Sequence, residues 1–378
     1  METVGLYLHV PFCRSKCPYC DFYSLPLGSD LQGEALLDAY VAALLRAMDE
    51  WSDRGDYRVD TLYFGGGTPS LLGGRRLAIL MDAADRRFGL FRSETPEVTL
   101  EANPADDLSE LLRAFVEAGG NRLSLGMQSA AEAELAFLGR RHRPADVERS
   151  VADARKAGIR RLSLDLMLGL SRQTREDVEK SARRVAALGA EHVSAYLLKI
   201  EPDTAFGKHP PALPDEEETA ELYLTAMEEL ENLGYRQYEI SNLSKPGEQS
   251  RHNLKYWNGD PYLGLGPAAA SCLGGRRFTY PRDLTAFISG NEPIPEEESG
   301  IPTGSEEEYA MLRLRLTEGI REAGFSSRFG KPIPPAWIKR AAALPAHLVT
   351  VSEAGIALTR EGFLLSNSLI GHILWGNV

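Results

Sequence analysis

Six short apolar runs, each followed by a stretch with helical periodicity, constrain this chain more than any other feature. They are Leu6 to His9, Thr61 to Phe64, Val98 to Glu101, Arg122 to Gly126, Arg161 to Leu166 and His192 to Leu197. Helix patterns fall between them at Leu36 to Trp51, Arg75 to Phe88, Leu108 to Ala118, Ala145 to Ala157 and Arg175 to Leu188, several with a glycine where a C-cap belongs. Strand alternating with helix requires a parallel sheet covered by helices. Six such units build either an open doubly wound sheet or an incomplete (β/α) barrel, and periodicity is common to both. In either, ligands are held at the carboxyl ends of the strands.

The pattern changes near residue 200. Pro202, Pro210, Pro211 and Pro214 mark a loop, an acidic helix runs from Asp215 to Leu233, and Tyr238 to Ile240 reads as a short strand. A loose stretch from Asn291 to Gly304, with Pro293, Pro295, Pro302 and Glu296 to Glu298, reads as a linker. It divides the chain into residues 1–290 and 291–378. The tail carries helix patterns at Glu306 to Leu316 and Pro335 to Ala343, a hairpin from Leu348 to Val351 and Ile356 to Leu358, and a last apolar helix ending at Trp375. This order resembles a winged helix. With 42 Lys and Arg against 54 Asp and Glu the net charge is −12, which disfavours nucleic acid and makes that module a packing or substrate-covering element. The N-terminus lacks a basic leader and no apolar stretch is long enough to span a bilayer, so a cytoplasmic location is expected, with peripheral membrane contact left open.

Three of the 4 cysteines, Cys13, Cys17 and Cys20, form a C-x-x-x-C-x-x-C loop directly after the first run. In a reducing compartment such a cluster points to metal. Three thiolates on one loop can each take one iron of a cubane cluster and leave the fourth iron open. A molecule with an amine and a carboxylate could chelate that iron, and an electron could then enter a sulfonium beside it, as in reductive cleavage of S-adenosylmethionine. The alternatives are inert thiols or zinc, for which His9 is the nearby fourth ligand.

The second run ends in Gly65-Gly66-Gly67-Thr68-Pro69, which could offer backbone groups to an amino-acid moiety or simply make a tight turn. Polar residues recur at later strand ends: Glu101 with Asn103, Gln128 with Ser129, Asp165 and Tyr196. In a barrel these converge on one mouth and could hold a nucleoside; Tyr196 could equally be core. Arg140 either joins that site, where a guanidinium suits a carboxylate, or neutralises Glu132 and Glu134.

Taken in order, the Tyr7-to-Cys13 start, the cysteine loop, Gly65 to Pro69, Glu101, Gly126 with Gln128, Leu138-Gly139-Arg140 and Asp165 with Gly169-Leu170 resemble the radical S-adenosylmethionine superfamily, and within it the oxygen-independent coproporphyrinogen oxidase-like group. The resemblance implies an α/β fold, a partial (β/α)6 radical SAM barrel with a C-terminal α+β winged-helix-like domain. It implies a 4Fe-4S cluster on Cys13, Cys17 and Cys20. It also implies S-adenosylmethionine contacts from Tyr7, Tyr19, Gly66, Gly67, Thr68, Glu101, Gln128, Arg140 and Asp165.

Within that group the coproporphyrinogen dehydrogenases carry a further cysteine two positions after the third, where this chain has Phe22. The HemW haem chaperone branch has Phe there together with an H-N-x-x-Y-W motif, present here as His252, Asn253, Tyr256 and Trp257. The resemblance implies a chaperone that binds haem and passes it to an acceptor protein, a respiratory enzyme being one candidate; the competing function is radical decarboxylation of coproporphyrinogen III. His252 could serve as an axial haem ligand with Tyr256 and Trp257 as an aromatic wall, or the motif could be structural. Ala270 stands where the branch commonly has histidine, implying weaker haem retention.

Overall fold

The structure, a computed structural model, describes residues 2–290, 296–297 and 300–376. Half of the expected linker, including Pro293 and Pro295, therefore lies outside the described residues. Six parallel strands form its frame: β1 (Glu2–Val10), β2 (Tyr57–Gly66), β3 (Glu97–Ala102), β4 (Arg122–Gln128), β5 (Arg161–Leu168) and β6 (His192–Leu197). They pair in chain order, and β1 also pairs in parallel with Tyr262–Leu265. A doubly wound sheet would reverse its order part-way. Here nothing reverses, every crossover returns on the same side, and β1 does not pair with β6, so the sheet is an incomplete barrel with its helices outside.

Side chains alternate accordingly. Val98, Leu100, Leu123, Leu125, Leu162, Leu164, Val193 and Ala195 face outward and pack in one core with helix residues such as Leu44, Leu80, Phe115 and Val178. Their neighbours Thr99, Glu101, Ser124, Ser163, Asp165 and Ser194 face inward and line a cavity. The helices start where the sequence offers caps: Asp30 accepts from the Gly33 amide, and Thr174 with Asp177 and Asp215 with Glu218 form capping boxes.

The expected strand at Tyr238 to Ile240 is displaced. Strands form instead at Arg236–Gln237 and Asn242–Ser244, the latter antiparallel to β6, and Glu239 makes only an isolated bridge to Leu316. Beyond residue 300 a separate apolar cluster gathers Phe325, Trp337, Val349, Ile356, Phe363 and Ile373 around the hairpin Val349–Ser352 and Gly355–Leu358. A helix at Glu322–Phe329 adds to the expected set, and the last helix is broken at Leu365 into Arg360–Leu364 and Ser366–Trp375. Among the described residues, no helix is long and apolar enough to cross a membrane.

Candidate functional site

The cysteine loop leaves the carboxyl end of β1, with Cys13, Cys17 and Cys20 as half-buried free thiols. Thr68 Oγ1 donates to Cys13 Sγ at 3.5 Å and Arg140 Nη1 to Cys17 Sγ at 3.6 Å, contacts that fix where the two sulfurs sit. Burial pushes the Cys20 thiol up, and its two sister sulfurs push in the same direction. Such a trio is stabilised by shared positive metal charge. No three Cys, His, Asp or Glu side chains among the described residues surround one point closely enough for a single ion. His9 does not fit as a fourth zinc ligand either: it is buried, its Nε2 bonds Tyr23 O at 2.9 Å and its Nδ1 bonds Tyr7 Oη at 3.0 Å. Because Tyr23 O can only accept, Nε2 carries the proton and Tyr7 donates to Nδ1. Three thiols without a fourth donor fit a cluster that keeps one iron open.

The glycine loop is forced by close approach. A Cβ on Gly66 would stand 2.7 Å from the His9 ring and one on Gly67 2.5 Å from Phe12 O, and Gly66 has φ +110°. Its amides are already bonded: Gly66 N to Glu101 Oε2 at 3.2 Å, Gly67 N to Val10 O at 2.8 Å and Thr68 N to Phe12 O at 2.7 Å. The expectation that this loop offers amides to a ligand is therefore corrected.

Glu101 and Asp165 face each other inside the mouth. Glu101 accepts from Tyr63 Oη at 2.8 Å as well as from Gly66, and Asp165 accepts from Ser124 Oγ at 3.3 Å. Burial, which outweighs these donors, pushes both carboxyls up to about 7. Below them Ser163, Ser194, His192 and Asn253 help enclose a polar cavity of about 30 Å³, room for a water or two. Tyr196, 38% exposed, lines its rim and is not core.

Across the mouth Arg140 reaches Cys17 and donates through Nη2 to Gly126 O at 3.0 Å; Glu134 is instead held by Gln173 Nε2 at 3.1 Å. A Cβ on Gly126 would come within 3.0 Å of both Arg140 and Gln128. Gln128, at φ 65°, is buried with its Oε1 unpartnered. The orphaned Oε1 and the similarly orphaned Arg140 Nε mark polar capacity that a bound molecule could satisfy. Tyr19 packs beside Arg140 and Cys17. Asn103 and Ser129 have local roles, accepting from the amides of Ala105 and Ala131. Tyr63 and the inward serines were not singled out in the sequence, although their alternation with apolar residues is visible there.

A third buried carboxyl, Glu239, has Oε1 unpartnered and is likewise pushed up to about 7 by burial. A carboxyl whose folded value lies above its unfolded one stabilises the fold below pH 4 to 5 and loses that contribution as pH rises through 7. Glu239→Gln should therefore match wild type in unfolding free energy, read from urea titrations, at pH 5 and exceed it at pH 8 by on the order of 1 to 3 kcal/mol. Equal differences at both pH values would contradict this.

The His252 motif lies on a helix, Arg251–Asn258, at the opposite end of the barrel from the cysteines. Glu97, at the start of β3, accepts from the amides of Arg251 (3.2 Å) and His252 (2.9 Å), so the helix closes the barrel floor. His252 is fully buried; its Nδ1 bonds Thr61 Oγ1 at 2.8 Å and its Nε2 bonds Tyr256 Oη at 2.9 Å. Tyr256 meets Tyr262 edge-on at 4.6 Å, and Asn253 faces the interior cavity. With both ring nitrogens bonded and no face exposed, His252 does not fit an axial haem ligand, and Asn253, Tyr256 and half-buried Trp257 do not form an open wall for a macrocycle. Ala270 opens the strand Ala270–Leu273 beside Gly264, not beside His252.

A family model described as the radical SAM superfamily matches residues 7–185. A Bacillus subtilis (strain 168) protein named heme chaperone HemW is 36% identical over 380 residues, covering 97% of this chain and 98% of that protein. The chain belongs to the HemW family of radical SAM proteins. The HemW of Escherichia coli (strain K12) is 37% identical over 87% of each chain. Coproporphyrinogen III oxidase (HemN) from Escherichia coli, described as a radical SAM enzyme, shares the fold at TM-score 0.81 with 20% identity, over all of this chain and 91% of that one. In this HemW-family chain Phe22 is 65% exposed beside the cysteine loop.

Proposed function

We propose that this protein is a haem chaperone that carries a 4Fe-4S cluster on Cys13, Cys17 and Cys20, binds S-adenosylmethionine at the barrel mouth, and passes haem to an acceptor protein. The reading rests on kinship with proteins named heme chaperone HemW over nearly the whole chain. Phe22 supports it, because the coproporphyrinogen dehydrogenases have cysteine at that position.

When bound, the cluster would supply an electron and a chelating iron. The protein's part is placement. Thr68 and Arg140 hold the sulfurs, and Arg140 and Gln128 offer unpartnered polar atoms; the Gly66 and Gly67 carbonyls would be the backbone groups for an ammonium. Glu101 and Asp165 present carboxyls to a hydroxyl-bearing nucleoside, with Tyr7 and Tyr19 closing two sides. The radical enzyme HemN has this fold, so fold alone does not separate chaperone from decarboxylase.

Anaerobically reconstituted protein should bind haem with a Soret band and pass it to an acceptor, and should not convert coproporphyrinogen III with a reductant present. Multiple turnovers of coproporphyrinogen III, or absence of haem binding, would overturn the reading.

A further inference from the structure

The floor helix and the cofactor site lie at opposite ends of the barrel, yet one chain of contacts joins them. It begins at β1, where Gly5 lacks the side chain that would block the helix: a Cβ there would stand 2.9 Å from Lys255 Cδ and 3.2 Å from His252 Cε1. The helix can therefore sink against the strands. Thr61 and Tyr256 hold the two ring nitrogens of His252, fixing the ring plane as well as its position. That ring lies against Tyr63, centroids 5.1 Å apart and planes 28° from parallel. Tyr63 in turn donates its hydroxyl to Glu101 Oε1, while the Gly66 amide takes Oε2.

Without those two donors a glutamate side chain at a strand end would have several rotamers open to it. Gly66 is backbone and cannot adapt. Tyr63 is thus the adjustable element, and its ring is buttressed from below by His252. Truncating His252 would leave a void against one face of Tyr63, into which the ring can tilt and draw its hydroxyl away from Glu101.

We propose that His252 is a positioning residue for the S-adenosylmethionine site, holding Tyr63 so that Tyr63 orients Glu101, and that it is not a haem ligand. The inference rests on the reading that Glu101 contacts S-adenosylmethionine.

The test is a double-mutant cycle on cluster-loaded protein, titrating S-adenosylmethionine calorimetrically and following haem by its Soret band. His252→Ala and Tyr63→Phe should each weaken S-adenosylmethionine binding about tenfold. The double variant should be no weaker than about tenfold, because both changes break one chain of contacts. His252→Gln, whose amide can still reach Thr61 and Tyr256, should recover part of the loss. Iron content and the Soret maximum should stay at wild-type values in every variant.

Losses that multiply to about a hundredfold in the double variant would overturn the proposal, since the residues would then act independently. So would a His252→Ala variant, or its Gln counterpart if the Ala form does not fold, with unchanged S-adenosylmethionine affinity and a shifted Soret band. Glu101→Gln is the control on the underlying reading: unchanged affinity there would remove the site assignment and this inference with it. Absence of haem binding by the wild type would instead overturn the chaperone function and leave the His252 result standing.

Discussion

Anaerobically reconstituted protein should hold about four irons per chain with four-iron cluster spectra, and replacing any one of Cys13, Cys17 or Cys20 with Ala should abolish the cluster. Each thiolate would anchor a different iron, so the loss of any one leaves an iron without its protein ligand. His9, the nearest alternative, is tied through both nitrogens to Tyr7 and Tyr23. Cys272 supplies the control. It lies buried in the strand Ala270–Leu273, opposite Tyr262, and Cys272→Ala should keep its iron. The measurement is iron and sulfide content together with the visible absorption spectrum. A wild-type protein that takes zinc and resists iron would overturn the assignment, because the loop would then be a structural metal site.

The alternation of strand and helix was legible because each strand must bury an apolar face under a helix. The choice of an incomplete barrel over a doubly wound sheet was not, since it depends on the spatial order of β1 to β6, which no local pattern encodes. The cysteine loop was readable from spacing alone. The interior was readable in principle: Val98-Thr99-Leu100-Glu101 and Leu162-Ser163-Leu164-Asp165 alternate apolar with polar, the signature of a strand with a polar inner face. Glu101 and Asp165 are acidic residues toward the carboxyl ends of their strands, whereas Tyr63, a lone tyrosine between Leu62 and Phe64, reads as core.

The His252 motif shows where local reading stops. Ser250 caps the helix, and the spacing of four puts His252 and Tyr256 on one face, both available from sequence. Which end of the barrel that face meets is a property of the whole chain. One of the contacts that place it there comes from Glu97, 155 residues earlier. A histidine beside two aromatic residues has the right chemistry for haem, and only its surroundings show that both nitrogens are already bonded.

Glu97 should accordingly be among the most consequential residues outside the cofactor site. Its carboxylate has no exposed surface, accepts from two helix amides, and pairs with Arg161 Nη1 at 3.5 Å. Hydrogen bonds to a charged acceptor contribute about 1.5 to 3 kcal/mol each, and the negative charge also favours the amino end of the helix. Arg161 keeps a second partner in Glu248 at 2.8 Å, so the loss on that side is partial. Glu97→Ala should therefore destabilise the full chain by about 3 kcal/mol in urea, below the simple sum because water enters the vacated space. Amide exchange across Arg251–Asn258 should accelerate by more than it does in the Phe325 core, and Glu97→Gln, which retains an acceptor, should lose less. A loss under about 0.5 kcal/mol, the size of an ordinary surface substitution, would mean that the floor helix is held by its packing against Tyr63 and Tyr262 and that Glu97 contributes little.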